Sequence, residues 1–528
     1  MTAEITKHDL ITCLLAVLFG FLLPLSMAPF NWWPLGIISI AGIVTLLCGQ
    51  QTTSVRFIYA LSFGLGAYAI GVSWIYVGIH DHGQTGVALS LLMVTAFICF
   101  QALLLSVPFV VFGKVFNVST TITFLLVFPS LWVLGEWFRG WAFTGFPWLY
   151  LGYGHTDSWL LGWAPVVGAL GISWIAAFCG ALLALLVRQA QNFKAGNHET
   201  IHLSSSVVGL VFVLLFWLGG NFLQTVRWTQ PSGKPLSIGL VQPAMPLAIK
   251  WDPYKLPVIF EQFRSDTELL FNNDLVVWPE SAIPRFQHEV TDYLNSIAAE
   301  ASDTDTALVA GILTAEAGGQ GHSRPNSFYS NYYNSVVGLG LASGGYHKQH
   351  LVPFGEYVPF ESWLRGVIAF FDLPMSVFSH GPTGQPPIKA KNAVIATAIC
   401  YEIAYAELVR SSAENANLLL TLSNDTWFGQ SIGPKQHFQI ARMRAAENGK
   451  PLIRATNDGI SALITEDGKV SATIPAHKRG VLEGILEPRT GLTPFGRYGS
   501  YPILLASLLW VLVPLVGKSV WVGRFKKQ

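Results

Sequence analysis

The sequence contains few charged residues. Asp, Glu, Lys and Arg together make up 12% of the 528 residues, and the formal net charge is only +1. No basic cluster precedes the last few residues, so the electrostatic footprint of a nucleic-acid-binding protein is missing. Apolar residues make up 51% of the chain, and the mean hydropathy is +0.44. This composition is too apolar for a soluble protein and indicates a membrane protein that is long enough to carry a second domain.

Cysteine is also scarce. Four of the five cysteines lie in long apolar segments, namely Cys13, Cys48, Cys99 and Cys179. A thiol in such a segment behaves as a small apolar side chain, so a disulfide framework is not expected. The fifth, Cys400, directly follows the strand-like run 393–399 and has no other cysteine near it in the sequence. Its position makes it a candidate nucleophile.

Eight segments are apolar and, to within a few residues, long enough to cross a membrane, which takes about 20 residues. They are 10–28, 34–48, 57–79, 87–112, 120–138, 160–187, 205–223 and 501–516. The second is short and could be re-entrant. The first resembles a signal peptide, but Pro24 lies inside it and another apolar segment follows at once, which favours a retained helix. We therefore predict eight transmembrane helices.

The distribution of Lys and Arg predicts the orientation of these helices. With a cytoplasmic N-terminus, the short outer loops carry only Arg139. The inner segments carry Lys7, Arg56, Lys114, Arg188, Lys194, Lys518, Arg524, Lys526 and Lys527. The predicted organisation is a seven-helix transmembrane region at 1–226, a catalytic domain at 227–494, and an eighth helix with a cytoplasmic tail at 495–528. In a bacterium with two membranes, the chain would lie in the inner membrane with the catalytic domain in the periplasm.

The outer loop around 137–150 is rich in aromatic residues, among them Trp137, Trp141 and Trp148. Such rings commonly anchor a protein at the boundary between lipid and water. Glu136 and Arg139 lie among them, so a second interpretation is that this loop helps to hold a lipid substrate. Both interpretations stay open.

The region 227–494 reads as an extramembrane domain in which strand-like and helix-like segments alternate. The apolar runs are 236–241, 275–278, 308–313, 335–341, 394–399, 418–422, 451–455, 460–465 and 481–486. Segments with helical periodicity are 258–271, 290–302 and 434–448. This alternation predicts a layered α/β or α+β domain with buried strands.

Reactive groups follow the ends of these runs. Glu280 lies two residues after Trp278, Cys400 follows Ile399, and the group 423–425 follows Leu422. Loops at strand ends expose side chains while the strands fix the backbone, which is how sheet-based enzymes build a site. A nucleophile, a base and a cation are the parts that acyl transfer needs, but spacing alone does not show that they meet.

Five segments carry a resemblance to a known family. They are WPESAIP, HKQHLVPFGEYVPF, ICYE, LSNDTWFG and IARMRAAENGKPLIRATNDG. Together they closely resemble the nitrilase superfamily, which implies an αββα sandwich and a catalytic Glu–Lys–Cys trio. With the eight spans and RGWAFTGFPW in an outer loop, the whole chain resembles the apolipoprotein N-acyltransferase family, a membrane-embedded branch of that superfamily.

The resemblance implies a role for each member of the trio. Cys400 is the expected nucleophile, Glu280 the base and Lys348 the cation that stabilises the oxyanion, assisted by a backbone N–H near Tyr401. A thiol with an ordinary pKa near 8.5 is only slightly ionised at neutral pH, which is why it needs a base beside it. Taken singly, Glu280 could cap a helix and Lys348 could be a solvated lysine.

Further residues are expected around the trio. Glu356 and Glu402 resemble the family's supporting carboxylates, although surface salt bridges would explain them too. Trp251 resembles an aromatic residue near the acyl chain, with packing as the alternative, and Arg139 is a candidate substrate-binding residue. His350 and His437 show no metal-ligand spacing, so we assign no metal and no cofactor. Asn424 and Asp425 are interpreted as turn formers, and Arg442, Arg444 and Arg454 as ion-pair partners.

The implied reaction takes an acyl chain from a phospholipid, which the family resemblance suggests is phosphatidylethanolamine, onto Cys400. The free α-amine of a diacylglyceryl-modified cysteine at the N-terminus of an apolipoprotein then accepts it. A membrane-tethered nitrilase-type amidase, in which water takes the place of the amine, is the alternative. The apolar segment 360–378 is a candidate lipid-facing lid over the thiol.

Overall fold

We analysed a computed structural model of the chain. It describes residues 7–48, 52–83, 85–111, 113, 121–194, 203–317, 329–357 and 378–512. Most of the candidate lid, 360–377, therefore lies outside the described residues. The chain divides into two compact units. The first comprises Met1–Tyr76, Ala88–Val226 and Tyr498–Gln528, and the second comprises Val77–Val87 and Arg227–Arg497.

The first unit consists of helices joined by turns and loops, and its described residues include no strand. Its helices are α1 (Lys7–Leu25), α2 (Trp33–Leu47), α3 (Thr53–Gly71), α4 (Trp74–Val77, whose last residue belongs to the second unit), α5 (Val87–Val111, whose first residue belongs to the second unit), α6 (Phe128–Arg139), α7 (Ala164–Lys194) and α8 (Leu203–Leu223), with a further apolar helix at Tyr501–Leu512. A π-helical turn, Thr123–Val127, precedes α6, and a 3₁₀ turn, Trp159–Trp163, precedes α7. Each predicted span is thus helical over most of its described residues.

Four described helices are long and apolar enough to cross a membrane. They are Thr53–Gly71, Val87–Val111, Trp159–Lys194 and Ser205–Leu223. Shorter apolar helices occupy Asp9–Leu25, Trp33–Leu47 and Tyr501–Leu512. Several apolar helices are therefore compatible with a membrane protein, while the count of eight spans stays a prediction.

Glycines allow α1 and α3 to touch backbone to backbone. A Cβ atom on Gly20 would lie 2.1 Å from the carbonyl oxygen of Phe63, and one on Gly66 would lie 2.2 Å from that of Val17. Only residues without a side chain permit such an approach, and small residues have this role at helix contacts within membranes. The sequence of α1 and α3 thus specifies a close helix pair.

The second unit is built on two large β-sheets. The first has the strand order β15 (Gly480–Leu486), β2 (Leu236–Gln242), β3 (Leu275–Val277), β5 (Ala307–Ala317), β6 (Tyr329–Gly340) and β8 (Gly345–His347), with β4 (Ile283–Phe286) pairing with β5. The second has the order β14 (Val470–Ile474), β13 (Ser461–Ile464), β12 (Leu452–Thr456), β11 (Leu418–Ser423), β10 (Ala393–Ile399), β9 (Ile388–Ala390) and β7 (Ala342–Ser343). The strands β1 (Gln230–Pro231) and β16 (Arg489–Thr490) form a separate antiparallel pair.

Alternating side chains divide the buried residues between two layers. On β3, Leu275 and Val277 belong to the apolar core that both sheets share, whereas Val276 and Trp278 belong to a second core under the helices. Such alternation follows from the two-residue period of a strand. On β11, Leu420 contributes to the shared core from the opposite sheet.

Helices cover both outer faces. The second core joins the first sheet to α10 (Leu256–Glu268) and α11 (Thr291–Asp303). On the other sheet, α12 (Ala406–Ala413) contacts β10 and α13 (Gly433–Asn448) contacts β12. The predicted αββα sandwich is confirmed. The short helix α9 (Leu247–Lys250) and the small strands β4, β7, β8, β9 and β14 were not predicted.

We predict that Leu420→Ala destabilises the sandwich. Its side chain is 1% exposed between the two sheets, and truncating a buried leucine typically costs about 2–5 kcal/mol. Unfolding of the full chain in detergent, followed by tryptophan fluorescence, measures the loss. Ile485→Ala, at a side chain that is 68% exposed on β15, is the control and should change little. Equal effects of the two changes would contradict the sandwich interface.

Candidate active site

Glu280 lies in a tight turn after β3. The turn is tied to the neighbouring strand by a hydrogen bond from Ala282 N to the carbonyl oxygen of Gly311, at 2.8 Å. Ser281 has a positive φ of 47°, which a residue with a side chain seldom adopts. The buried ammonium of Lys250 donates to the carbonyl oxygen of Glu280 at 3.0 Å. Burial lowers the pKa of Lys250 to about 8, although the charge of Glu280 opposes the shift.

Cys400 begins a 3₁₀ turn directly after β10, and its backbone is strained. Its φ is +55°, and a non-glycine residue in such a region typically costs about 1–3 kcal/mol. His437 Nε2 lies 3.0 Å from the carbonyl oxygen of Cys400. The Sγ atom lies 3.5 Å from the Ser423 hydroxyl. Backbone strain of this kind persists only where the surrounding structure fixes it.

Lys348 follows β8 and is 1% exposed. Its ammonium Nζ lies 2.9 and 2.8 Å from the two carboxylate oxygens of Glu356 and 3.8 Å from Glu280 Oε1. Burial works against the charged form, but the carboxylates of Glu356 and Glu280 and the thiol of Cys400 raise the pKa of Lys348 above the ordinary lysine value. This lysine is therefore a fixed cation.

The Glu280 carboxylate is held from two sides. Asn334 Nδ2 donates to its Oε1 at 2.7 Å, and the Asn424 backbone N–H donates to its Oε2 at 2.7 Å. The same Asn334 amide lies 3.2 Å from Glu356 Oε1, so one side chain bridges both carboxylates. Glu356 also accepts from Val352 N at 2.8 Å. Glu280, the predicted base, and Lys348 are thus positioned by one connected network.

The surroundings of Cys400 raise the pKa of its thiol above the ordinary value. Burial, and next the negative charge of Glu280, raise the pKa of the thiol, while Lys348 lowers it and Asp425 raises it further. These interactions bring the sulfur, the carboxylate and the ammonium into one electrostatic centre. A thiol in this state requires proton transfer to a base when it attacks.

Glu402 links the nucleophile to the loop that follows Lys348. Its carboxylate accepts from the backbone N–H groups of Gln349, His350 and Ile399 at 2.7, 2.9 and 2.7 Å, and from the Tyr346 hydroxyl at 3.0 Å. Burial raises the pKa of Glu402 to about 7, against these N–H donors, which lower it. The alternative of a surface salt bridge is wrong for Glu402, because the side chain is fully buried.

A second polar cluster lies on the other side of Cys400. Asp425 accepts from the Ser423 hydroxyl at 2.5 Å and from Arg454 at 2.6 Å, and it lies 3.0 Å from His437 Nδ1. Burial opposes its ionisation, but Arg454 and His437 hold the pKa of Asp425 well below its usual range. The interpretation of Asn424 and Asp425 as turn formers was incomplete.

The predicted ion pairing of Arg454 is confirmed by its contact with Asp425. That of Arg444 is confirmed too, because Arg444 pairs with Glu447. Arg442 donates to the carbonyl oxygen of Gly468.

The other predicted residues have these surroundings. Trp251 follows Lys250 and packs beside a small apolar cluster formed by Leu313, Leu351 and Phe378. The Tyr401 ring lies 5.2 Å from that of Tyr405. Both tyrosine rings also lie near the imidazole of His350.

Arg139 belongs to the first unit and is buried there. It donates to the carbonyl oxygens of Phe146 and Trp148 at 2.8 and 2.6 Å, and its guanidinium lies over the rings of Tyr68 and Tyr150. These contacts fix the aromatic loop after α6. Substrate binding by Arg139 stays a prediction.

Comparisons with known proteins identify the family. Residues 19–182 match the family model of the apolipoprotein N-acyltransferase N-terminal domain, and residues 268–491 match that of carbon-nitrogen hydrolases. Apolipoprotein N-acyltransferases of Pseudomonas aeruginosa strain PAO1 and Pseudomonas syringae pv. tomato are each 40% identical, over 95% and 97% of both chains respectively. That of Vibrio cholerae is 36% identical over 99% of both chains. The chain belongs to the apolipoprotein N-acyltransferase family. The predicted acyltransferase activity of nitrilase type is confirmed at this level.

Three residues of the site were not singled out as members from the sequence. Asn334, Lys250 and His437 each bond a member of the trio or its backbone. No signal in the sequence pointed to Asn334, because its place beside Lys348 depends on the pairing of β6 with β8, where Lys348 N donates to its carbonyl oxygen. His437 was tested in the sequence only for metal-ligand spacing, which it lacks. Lys250 lies at the end of α9 and His437 lies on α13, so the packing of helices on the sheets brings them to the site.

We predict that Glu402→Gln weakens both the fold and the activity. The amide NH₂ group would face N–H donors where the carboxylate now accepts, and an unsatisfied buried group costs about 1–3 kcal/mol. The thermal midpoint should fall, and transfer should slow at least tenfold. Glu268→Gln, at an exposed position on α10, is the matched control. Full stability and activity in Glu402→Gln would show that the buried carboxylate is dispensable.

We predict that Asn334→Asp slows acyl transfer more than Asn334→Ala does. Aspartate has nearly the same size as asparagine, but it replaces the amide donor with a third negative charge beside Glu280 and Glu356, and like charges at this distance repel one another. Asn334→Ala removes the amide without adding a charge, so it should slow the reaction less. Rates of acyl transfer measured for both variants test this, and equal rates would contradict the charge argument.

Proposed function

We propose that the chain transfers an acyl chain from a phospholipid, through a thioester on Cys400, to the α-amine of the diacylglyceryl-cysteine at the N-terminus of an apolipoprotein. One observation carries this proposal. The thiol of Cys400 interacts with both Glu280 and Lys348 in a buried centre, where Lys348 Nζ lies 3.8 Å from the Glu280 carboxylate. A nucleophile, a base and a cation with this connection suit acyl transfer better than a structural role.

In the first half-step, the sulfur of Cys400 attacks the ester carbonyl while its proton passes to Glu280. A C–S bond forms, and the carbonyl oxygen becomes an oxyanion beside Lys348. When the C–O bond breaks, the proton on Glu280 goes to the leaving glycerol oxygen. The products are a thioester and a lysophospholipid, and the base is ionised again.

In the second half-step, the α-amine of the acceptor attacks the thioester carbonyl. A C–N bond forms, Glu280 takes a proton from the nitrogen, and the same cation faces the new oxyanion. Breaking of the C–S bond returns that proton to sulfur. The products are an amide on the acceptor and free Cys400, so one base and one cation are used in both halves.

Lys348 is proposed to stabilise the oxyanion together with the backbone N–H of Tyr401. The loss of one such donor typically costs about 10²–10³-fold in rate, or about 3–4 kcal/mol. Glu356 keeps Lys348 charged and in place through contacts of 2.8 and 2.9 Å. Glu402 fixes the turn around Cys400 and the loop after Lys348.

The cellular setting is also a proposal. The asymmetry of Lys and Arg among the short loops supports eight spans in the inner membrane, a periplasmic catalytic domain at 227–494, and membrane regions at 1–226 and 495–528. Phosphatidylethanolamine is the proposed donor and its sn-1 chain the proposed acyl group, while Trp251 and Arg139 are proposed to contact the lipid substrates.

We predict an acyl adduct on Cys400. The chain purified with phosphatidylethanolamine should show a mass increase equal to one acyl group, located on the peptide that contains Cys400, because the thioester waits for an amine. Hydroxylamine should remove it. Cys400→Ala should carry no adduct, and Cys400→Ser should transfer at least a hundredfold more slowly.

The identity of the acyl acceptor, an amine or water, distinguishes acyl transfer from hydrolysis. A synthetic diacylated lipopeptide with a free N-terminal amine should gain an amide-linked third chain and discharge the adduct. An N-acetylated lipopeptide is the matched control and should leave the adduct intact. Release of free fatty acid at the same rate with either peptide would instead identify the amidase alternative.

A further inference from the structure

The strained backbone of Cys400 is supported by His437, a residue that has no role in the reaction steps proposed above. His437, which is fully buried on α13, lies with Nε2 at 3.0 Å from the Cys400 carbonyl oxygen. Because Nε2 faces this carbonyl oxygen, which can only accept a hydrogen bond, it acts there as a donor. His437 therefore acts on the backbone of the nucleophile and does not serve as the base for its thiol.

The partners of His437 fix the direction of its ring. Nδ1 lies 3.0 Å from Asp425 Oδ1, and Asp425 is itself held by Arg454 at 2.6 Å and by the Ser423 hydroxyl at 2.5 Å. Each of these side chains, like His437, is almost completely buried. A fully connected buried network of this kind holds a single geometry.

The peptide bond between Cys400 and Tyr401 links the contact of His437 to the orientation of the Tyr401 N–H. The Cys400–Tyr401 bond is trans, and a trans peptide is planar, so its C=O and its N–H point in opposite directions. Fixing the Cys400 carbonyl toward His437 therefore fixes the direction of the Tyr401 N–H. That N–H is the backbone donor proposed above for the oxyanion.

We infer that His437 is a positioning residue for the oxyanion site, which holds the Cys400–Tyr401 peptide so that the Tyr401 N–H faces the reacting carbonyl. This inference rests on the proposed function, because it assigns a role within the proposed acyl transfer. Cys400 has a φ of +55°, so its peptide would relax without a partner for the carbonyl group. Preorganised donors account for much of the catalytic power at such sites.

Two conservative variants separate the contacts of His437. In His437→Gln the amide reaches about as far as Nε2 and keeps a donor for the Cys400 carbonyl. In His437→Asn the amide reaches only about as far as Nδ1, so it keeps the contact with Asp425 and loses the carbonyl. Both are polar and smaller than histidine. Ile440→Val, at a buried apolar residue on the same helix, controls for altered helix packing.

The full chain in detergent with phosphatidylethanolamine is assayed for the rate of thioester formation. We expect His437→Asn to lower this rate ten- to a hundredfold, while the KM for phosphatidylethanolamine changes less than threefold. The rate of His437→Gln should stay within about fivefold of that of the wild type. The rate of Ile440→Val should match that of the wild type. Alkylation of Cys400 by iodoacetamide needs no oxyanion donor and should stay within twofold in all variants.

Other results would overturn the inference. Equal rates in His437→Asn and His437→Gln would show that reach to the carbonyl is irrelevant. Alkylation that slows in step with acylation would show that His437 acts on the sulfur or the fold. A wild-type chain that forms no thioester would instead refute the proposed function, whereas normal acylation in His437→Asn would refute only the inference.

Discussion

The site depends on one buried cation. Lys348 is almost completely removed from solvent, and an isolated ammonium in such a place would cost several kcal/mol. Glu356 compensates this cost with contacts of 2.8 and 2.9 Å, and Glu280 adds a second negative charge at 3.8 Å. Since two carboxylates face one cation, these three groups together carry an excess negative charge. Burial raises the thiol pKa of Cys400, and the negative charge of Glu280 raises it further, so a preformed thiolate is disfavoured.

The need to hold these buried groups in place also shows in the backbone around Glu280 and Cys400. The turns that carry Glu280 and Cys400 contain residues with positive φ, at Ser281 and at Cys400 itself. The backbone carbonyl group of each of these two residues is held by a buried side chain, Lys250 for Glu280 and His437 for Cys400. Strain at both turns is thus maintained by polar contacts from elements that the sandwich core fixes in space.

The apolar runs predicted a layered domain of strands and helices because they are short and have clear ends, while the αββα sandwich was implied by the family resemblance. The runs also predicted which groups stand near their ends, because Cys400 follows its strand directly and Glu280 follows within three residues. Sequence spacing could not predict that the Asn334 amide bridges two carboxylates, since this contact depends on the pairing of β6 with β8.

Burial was the other property that the sequence concealed. Without the family resemblance, Glu402 could equally be a surface acid, yet its carboxylate accepts hydrogen bonds from three backbone N–H groups inside the protein. Asp425 reads as a turn former because Asn-Asp pairs commonly form turns, but its partners Arg454 and His437 come from other elements. Polar residues whose partners are distant in sequence look alike on the surface and in the core until the fold is known.

The summed charge of these groups stays constant during the proposed chemistry. Before attack, the charges are those of Lys348, Glu356 and Glu280, which sum to −1. When the thiol proton moves to Glu280 and the carbonyl oxygen becomes an oxyanion, the sum is still −1. The negative charge has moved from one neighbour of Lys348 to another, so no new charge is created in a site of low polarity. The same holds whether the attacking atom is sulfur or nitrogen, because either one gives its proton to Glu280. A centre with one cation and two carboxylates can therefore cleave an ester and form an amide without rearranging its own groups.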